Sequence, residues 1–184
     1  MISHKTARIL KEIDSVLARI DDTQVQQLIT ALRESKKIVC VGAGRMGYAA
    51  RGFAMRLGHF GLEAYMLGDT TVPSIGAGDM LLACSGSGET QTIYDIVLIA
   101  KRNKAKVVLV SGNPKSRMGE WADVVVELKA PSKTKQVEGI TSAQPMTTLA
   151  EQCLGLFLDA VVLEMMEYLD ESHETMWARH SNLE

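Results

Sequence analysis

Several features of membrane, secreted and nucleic-acid-binding proteins are missing from this sequence of 184 residues. No apolar run approaches the ~20 residues that a bilayer-spanning helix needs. The first residues, Met1–Lys5, contain no apolar signal segment. The formal net charge of −2 argues against a general nucleic-acid binder, which usually carries a basic excess. We therefore expect a soluble, cytoplasmic protein with neither a membrane nor a nucleic acid as partner.

Cysteine and aromatic residues are also scarce. The cysteines Cys40, Cys84 and Cys153 lie in apolar patterns, and no pair has the spacing of metal ligands. Their odd number gives no disulfide framework, so we interpret them as small buried side chains. Aromatic residues make up only 5% of the chain, so aliphatic side chains and methionine must build the core.

The apolar pattern that is present predicts one domain with three parts. Two helices occupy about residues 4–34, an α/β core about 37–128, and C-terminal helices about 145–181. Helical patterns separate five short apolar runs that predict strands, at Lys37–Val41, Glu63–Leu67, Met80–Cys84, Lys106–Val110 and Asp123–Leu128. This alternation predicts an α/β fold, with a five-stranded parallel sheet and helices on both of its faces.

The segment between the predicted sheet and the last helices is polar and basic. We interpret Lys133 and Lys135 as part of a solvated loop, in preference to a role in screening substrate charge. The long helix after this loop is predicted to begin near Pro145, because proline suits the first helical turn.

The most informative loop follows the third predicted strand and reads Ser85-Gly86-Ser87-Gly88-Glu89-Thr90. Ligands of open parallel sheets bind outside the carboxyl ends of the strands. Glycines let the backbone approach a ligand closely, and the free amides of the helix that begins near Thr90 favour an anion. These features favour a phosphate site. The alternative is a plain strand-to-helix turn in which Thr90 caps the helix.

A second glycine motif, Gly42-x-Gly44-x-x-Gly47, follows the first predicted strand and opens a helix. It matches the dinucleotide-binding template, and Asp69 lies near the distance expected for a ribose contact. The motif alone is weak, and no second domain is evident that could hold a hydride acceptor. A nicotinamide-dependent oxidoreductase is therefore the least favoured alternative.

Together, the two glycine-rich loops resemble those of the sugar isomerase (SIS) domain family. Over nearly the whole chain the sequence is similar to the 6-phospho-3-hexuloisomerases of that family, most specifically in Gly44–His59, Gln144–Gln152 and Arg179–Glu184. Two departures are Met46 and Ala150, where a serine and an aromatic residue are expected. The resemblance implies a flavodoxin-like sheet, a homotetramer and no metal or organic cofactor. The implied reaction interconverts 3-hexulose 6-phosphate and fructose 6-phosphate, a step of formaldehyde fixation through ribulose monophosphate.

Such an isomerisation needs a base for the proton beside the carbonyl and a donor for the developing oxyanion. Glu151 is the predicted base, because it lies in the first turns of the long helix, whose N-terminus favours an ionised carboxylate. A solvated glutamate at a helix start is the alternative. Arg45 is predicted to stabilise oxyanion or phosphate charge, and its alternative is a surface arginine.

His59 and His180 are the other predicted catalytic residues. His59 could instead only cap its helix, and His180 lies in a tail that would normally fray. Trp177 and Leu183 suggest that this tail docks, so it could deliver His180 to an active site across a subunit interface.

The predicted substrate- and phosphate-binding residues are Gly44, Arg45, Ser85, Gly86, Ser87, Glu89 and Thr90. Within this set, Glu89 is expected to orient the loop or to contact a sugar hydroxyl. Two other functions remain open at this point: a non-catalytic sugar-phosphate-binding module, and another ketose or aldose phosphate isomerase.

Overall fold

The computed structural model describes residues 1–132 and 135–183, so Lys133 lies outside the described residues. Along the chain the elements are α1 (Ile2–Leu17), α2 (Asp22–Glu34), β1 (Lys37–Gly42), α3 (Gly44–His59), β2 (Glu63–Met66), β3 (Met80–Cys84), α4 (Gln91–Arg102), β4 (Lys106–Ser111), β5 (Val124–Glu127), α5 (Thr148–Leu169) and α6 (His173–Trp177). The five strands lie where the sequence predicts them, to within one or two residues at each end.

The five strands form one parallel sheet in the order β2-β1-β3-β4-β5. Val39 of β1, for example, pairs with Tyr65 on one side and with Leu81 on the other. This is the flavodoxin-like order, which confirms the predicted fold class. The chain leaves β1 towards β2 and returns to the other side at β3, so the loops that follow β1 and β3 border a crevice.

The side chains of each strand alternate between two apolar layers. Cys40 and Leu82 face the layer that contains α1, α2, α3 and α5. Val39 and Leu81 face the layer that contains α4. Helices cover both faces as predicted but unequally, and irregular chain around Val72 completes the cover on the α4 face.

The helix α2 begins where the sequence indicates. The Asp21 carboxylate caps it by accepting hydrogen bonds from the backbone N–H groups of Thr23 and Gln24. The Gln24 side-chain oxygen in turn accepts a hydrogen bond from the Glu127 N–H on the edge strand β5. This helix therefore protects part of an exposed sheet edge.

The start of α5 differs from the prediction. The sequence places Pro145 in the first helical turn, but α5 begins at Thr148. Met146 has a φ of +59°, which a right-handed helix does not contain. The Pro145 carbonyl instead accepts hydrogen bonds from the backbone N–H and the hydroxyl of Thr148. The C-terminal helices also end earlier than predicted, at Trp177.

The basic segment before α5 is less solvated than predicted. Lys135 Nζ donates to Glu127 Oε1 at 2.8 Å and to the Gly112 carbonyl at 3.0 Å. Lys135 thereby ties its loop to β5 and to the turn after β4, so its interpretation as a solvated side chain is wrong.

Among the helices in the described part of the chain, none has the length and apolar character to cross a membrane.

Candidate active site

A cavity of about 300 Å³ lies at the carboxyl ends of β1 and β3. This is the crevice where ligands of such sheets bind. One wall is the loop between β3 and α4, and the others come from the starts of α3 and α5. Six of the predicted binding residues line it: Gly44, Arg45, Ser85, Gly86, Ser87 and Thr90. Glu151, the predicted base, lines it too.

The first glycine motif brings the start of α3 to this cavity. A Cβ atom on Gly47 would lie 2.6 Å from the Gly42 carbonyl oxygen, closer than the two atoms can approach. Only glycine therefore lets α3 begin directly on the end of β1. That close approach places Gly44 and Arg45 at the mouth of the cavity.

The ribose contact of the oxidoreductase alternative has no support in this geometry. The Asp69 carboxylate accepts a hydrogen bond from Arg51 Nη1 at 2.8 Å, and the two side chains form an ion pair. Asp69 does not line the cavity. The motif thus serves close helix–strand packing, and the acidic partner of a dinucleotide site is not beside it.

Two serine hydroxyls hold the loop between β3 and α4 in its conformation. Ser85 Oγ accepts a hydrogen bond from the Gly88 N–H at 3.2 Å, and Ser87 Oγ accepts one from the Glu89 N–H at 3.1 Å. Gly88 has a φ of +67°, and a Cβ atom there would collide with the Ser116 hydroxyl. Each serine still has its own hydroxyl hydrogen to donate to a ligand.

The start of α4 is left open for an anion. Thr90 is the N-cap residue of α4, yet its side chain makes no capping hydrogen bond, so the alternative of a plain capped turn does not hold. Within residues 1–132 and 135–183, the amides of Gly86 and Ser87 have no hydrogen-bond partner. The first amides of a helix also lack intrahelical acceptors. Free amides at a helix N-terminus bind phosphate well.

Glu151 and Arg45 meet on the opposite wall of the cavity. Arg45 Nε lies 2.9 Å from Glu151 Oε2, and the Thr147 hydroxyl donates to Glu151 Oε1 at 2.9 Å. The Glu151 side chain is only 16% exposed, so it is not the solvated helix-start glutamate of the alternative interpretation. A carboxylate has about four lone-pair positions, which leaves about two for a substrate.

Sequence reasoning did not predict five of the residues that line the cavity: Ala43, Met46, Cys84, Ser132 and Thr147. Thr147 was missed although it lies four residues before Glu151, the spacing at which helical neighbours meet. Ser132 comes from a loop whose pattern gives no signal. Met46 lines the cavity from α3 and lies against Gly86, where an added Cβ would be 3.1 Å from its terminal methyl group.

Glu89 lies outside the cavity lining. Its carboxylate accepts a hydrogen bond from the Arg117 N–H at 3.0 Å and lies 3.1 Å from Arg117 Nε. The Arg117 guanidinium lies over the Tyr94 ring, 4.4 Å from its centroid. Of the two roles predicted for Glu89, this geometry favours orientation of the loop over contact with a sugar hydroxyl.

His59 and His180 lie together, but away from this cavity. Their ring centroids are 5.2 Å apart, and the Trp177 ring stacks on His180 at 4.9 Å. With His173 they form what we call the histidine cluster (His59, His173, Trp177 and His180), which lines a second cavity of about 330 Å³. The α3 segment from Arg45 to His59 spans about 21 Å at a rise of ~1.5 Å per residue. Within one chain, the three predicted catalytic side chains therefore do not meet.

His59 is held in a buried, cation-rich environment. Burial lowers the pKa of its imidazole, and the nearby Arg56 and His180 lower it further. Its Nδ1 lies 3.3 Å from Arg56 Nη1, and its carbonyl accepts a hydrogen bond from Arg179 Nη1 at 3.0 Å. These surroundings favour a neutral imidazole, which can accept or donate a proton.

Within one chain, the C-terminal tail is held by contacts that the sequence did not indicate. Trp177 and Leu183 are 64% and 93% exposed, so neither is buried against its own chain, and their docking on a neighbouring subunit stays a prediction. Met176 is buried instead, and Arg179 Nη1 bonds to Glu171 Oε2 at 2.9 Å. Met176 and Arg179 thus help to hold the described part of the tail.

The cysteines are free and buried as predicted. Burial raises the pKa of Cys84, which borders the cavity, to about 12. Burial raises the pKa of Cys153 to about 12 as well, so these thiols stay protonated near neutral pH.

Among the residues that the structure describes, no group of three or more His, Cys, Asp and Glu side chains is arranged to hold a metal ion.

Comparison with known proteins gives a consistent result. Residues 31–155 match the sequence model of the SIS domain family. The 3-hexulose-6-phosphate isomerase of Bacillus subtilis (strain 168) is 37% identical over 178 residues, which cover 97% of this chain and 96% of the relative. That of Mycobacterium gastri is 36% identical over 183 residues, which cover 100% and 92%. A solved Methanococcus jannaschii structure, from which the same molecular function was inferred, is 30% identical with a TM-score of 0.85 and covers 98% of this chain and 99% of its own.

Proposed function

The chain belongs to the SIS domain family, and we propose that it is a 3-hexulose-6-phosphate isomerase. It interconverts 3-hexulose 6-phosphate and fructose 6-phosphate, as a step of formaldehyde fixation through ribulose monophosphate. One observation carries the proposal: the cavity has an anion-binding loop on one wall and the Glu151–Arg45 pair on the other. Relatives of that name, similar over nearly the whole chain, support the choice of substrate.

We extend the SIS domain from the matched residues to all of 1–184. The helix α1 packs against α5, and α2 packs against β5. Buried side chains on both sides of the matched residues, among them Val16 and Met176, belong to the same apolar layer as the sheet.

In the proposed complex, the loop after β3 binds the substrate's phosphate. Ser85, Ser87 and Thr90 donate hydroxyl hydrogens, and the free amides at the start of α4 add backbone donors. A phosphate monoester carries close to two negative charges at neutral pH, and hydrogen bonds to charged groups are the stronger ones. This arrangement binds the dianion without a lysine in the loop.

The reaction itself needs proton transfer and charge stabilisation only. In the forward direction, Glu151 takes the proton from carbon 2, beside the carbonyl at carbon 3, and an enediol forms. The proton then returns to carbon 3, while the oxygen at carbon 2 becomes the carbonyl. Arg45, whose Nε lies 2.9 Å from Glu151 Oε2, stabilises the negative charge that develops on the substrate oxygens.

The proposed assembly is a homotetramer in which subunits share their active sites. His59 and His180 lie at the far end of α3 from the cavity of their own chain. In the proposed assembly, each active site therefore receives these two histidines from a neighbouring chain. Large apolar side chains are exposed on α3 and α5 at a spacing of seven residues, which suits a helix-to-helix interface. They are Tyr48, Met55, Leu156 and Leu163.

The decisive experiment is an isomerase assay on synthetic 3-hexulose 6-phosphate with wild-type protein and Glu151→Gln. We expect wild-type turnover, and a kcat lower by about 10²–10⁴-fold in the variant, which is the usual contribution of a general base. Glu167→Gln, an exposed glutamate on the same helix, is the matched control and should retain wild-type kcat.

The assay also separates the alternatives. Tight binding of the sugar phosphate without turnover would identify a binding module. Faster turnover of another ketose or aldose phosphate would identify a different isomerase on the same site. Wild-type kcat in Glu151→Gln would remove Glu151 from the mechanism without removing the activity.

A further inference from the structure

Glu12 is a buried carboxylate that has no role in the proposed reaction. It lies on α1, is 8% exposed and stands outside the residues that match the SIS domain. Its two oxygens accept hydrogen bonds from Arg8 Nε at 3.3 Å and from three donors of one distant segment. Those donors are Ser142 Oγ at 2.7 Å, the Ala143 N–H at 3.0 Å and Gln144 Nε2 at 3.2 Å.

This set of donors fits an ionised carboxylate. Burial acts to raise the pKa of Glu12, but the hydrogen bonds from Ala143, Ser142, Gln144 and Arg8 outweigh burial, and the pKa is lowered. All the groups that contact the carboxylate donate hydrogen, so the charged form satisfies every one of them. The contact is therefore a fixed polar anchor between α1 and residues 142–144.

The anchored segment leads directly to the catalytic helix. Two residues after Gln144, Met146 adopts a φ of +59°, which residues other than glycine rarely adopt. Such strain persists where the surroundings hold the chain on both sides. One side is the anchor at Glu12, and the other is Thr147, whose hydroxyl donates to Glu151 Oε1.

We propose that Glu12 is a positioning residue for Glu151. By holding residues 142–144, it fixes the turn that carries Thr147 and so sets the Glu151 carboxylate against Arg45. Glu12 does not line the cavity, so it acts only through this segment. The inference rests on the proposed role of Glu151 as the catalytic base.

The test compares Glu12→Ala and Glu12→Gln with Asp14→Asn, which changes an exposed carboxylate of the same helix. We expect kcat to fall by about 10- to 100-fold in Glu12→Ala, because small misplacements of a catalytic group cost this much. Glu12→Gln should lose less, since its amide oxygen still accepts hydrogen bonds. KM should change by less than about threefold, because the phosphate loop belongs to other elements. Asp14→Asn should match the wild type.

A second variant avoids the cavity that Glu12→Ala would leave beside α1. Ser142→Ala combined with Gln144→Ala removes the two side-chain donors from the loop side and leaves α1 intact. We expect the same fall in kcat, together with faster hydrogen exchange confined to the amides of residues 146–151. Wild-type kcat in this double variant, or exchange that rises uniformly over the chain, would overturn the positioning role.

The experiment also distinguishes failure of this inference from failure of the proposed function. If the wild-type protein has no turnover, the isomerase proposal fails, and hydrogen exchange alone decides the inference. Faster exchange at residues 146–151 in the double variant then supports the anchor, and unchanged exchange overturns it.

Discussion

The two ends of the α3–α5 pair differ in how complete they are within one chain. At the start of these helices, Glu151 is largely buried and holds contacts to Arg45 and Thr147. At the far end, His59 and His180 lie beside a Trp177 ring that is 64% exposed. The polar side chains at the start of the helices thus pair with one another, whereas the far end exposes an aromatic ring beside the histidines. This difference is the basis of our proposal that one chain supplies both the phosphate site and the base, whereas the histidines come from a second chain.

The sharpest test of this comparison mixes two defective subunits. His180→Ala and Glu151→Gln should each lower kcat by about 10²–10⁴-fold. Hybrid oligomers made by co-expression should regain part of the activity, because some sites then combine an intact His180 with an intact Glu151 from different chains. Steady-state rates of purified hybrids measure the recovery.

The control for this experiment is His173→Ala, which alters the same cluster at a residue without a predicted catalytic role. It should keep nearly wild-type kcat. Hybrids that show no more activity than the sum of the two variants would contradict a site shared between subunits.

A smaller effect is expected on the phosphate side of the cavity. Ser87→Ala should raise KM by about tenfold and leave kcat nearly unchanged, because the phosphate is held equally in the ground state and the transition state. Thr92→Ala, an exposed hydroxyl on the same helix start, is the matched control. An unchanged KM in Ser87→Ala would argue against this loop as the phosphate site.

The smallest effect should be a pH dependence at the histidine cluster. The pKa of His59 is lowered from its ordinary value of 6.5 by burial, Arg56 and His180. The unfolded chain therefore binds this proton at a higher pH than the folded protein. The free energy of unfolding is therefore unaffected by this group above about pH 6.5. It declines as the pH falls from there towards the lowered pKa that His59 has in the folded protein.

Urea unfolding at pH 7.5 and 5.5 measures this dependence. Between these two values, the wild-type protein should lose slightly more free energy of unfolding than His59→Gln, which has no imidazole to protonate. Equal losses in the two proteins would show that the His59 environment does not oppose its protonation.

The sequence predicts well where signals are local. Strand β3 was predicted at its observed bounds, since a short apolar run between glycine-rich turns specifies a buried strand without reference to other parts of the chain. The loop Ser85–Thr90 was found for the same reason, because glycines and hydroxyls at a strand end are visible in a few residues. Glu151 and Arg45 were found individually, but their contact was not predicted.

The predictions that failed depend on distant neighbours. The local pattern permits Pro145 in a helix, but the turn that excludes it is held by contacts from α1. The sequence around Lys135 indicates a solvated side chain, but its partners, Glu127 and Gly112, lie in other elements and cannot be recognised locally. Nothing in the local sequence indicates that Glu12 is a buried anchor, because its main partners are some 130 residues away.

By itself, the sequence determined the order of helices and strands and the parallel sheet, and it indicated the loop and the glutamate for which we propose phosphate binding and base catalysis. These follow from apolar periodicity and from the backbone freedom of a few glycines, both of which act over short stretches of chain. Only the tertiary structure decided which of these groups meet: Arg45 with Glu151, Glu12 with residues 142–144, and His59 with His180 at the far end of α3. Such pairings depend on how the helices pack on the sheet, which is the sum of many contacts between residues far apart in the chain.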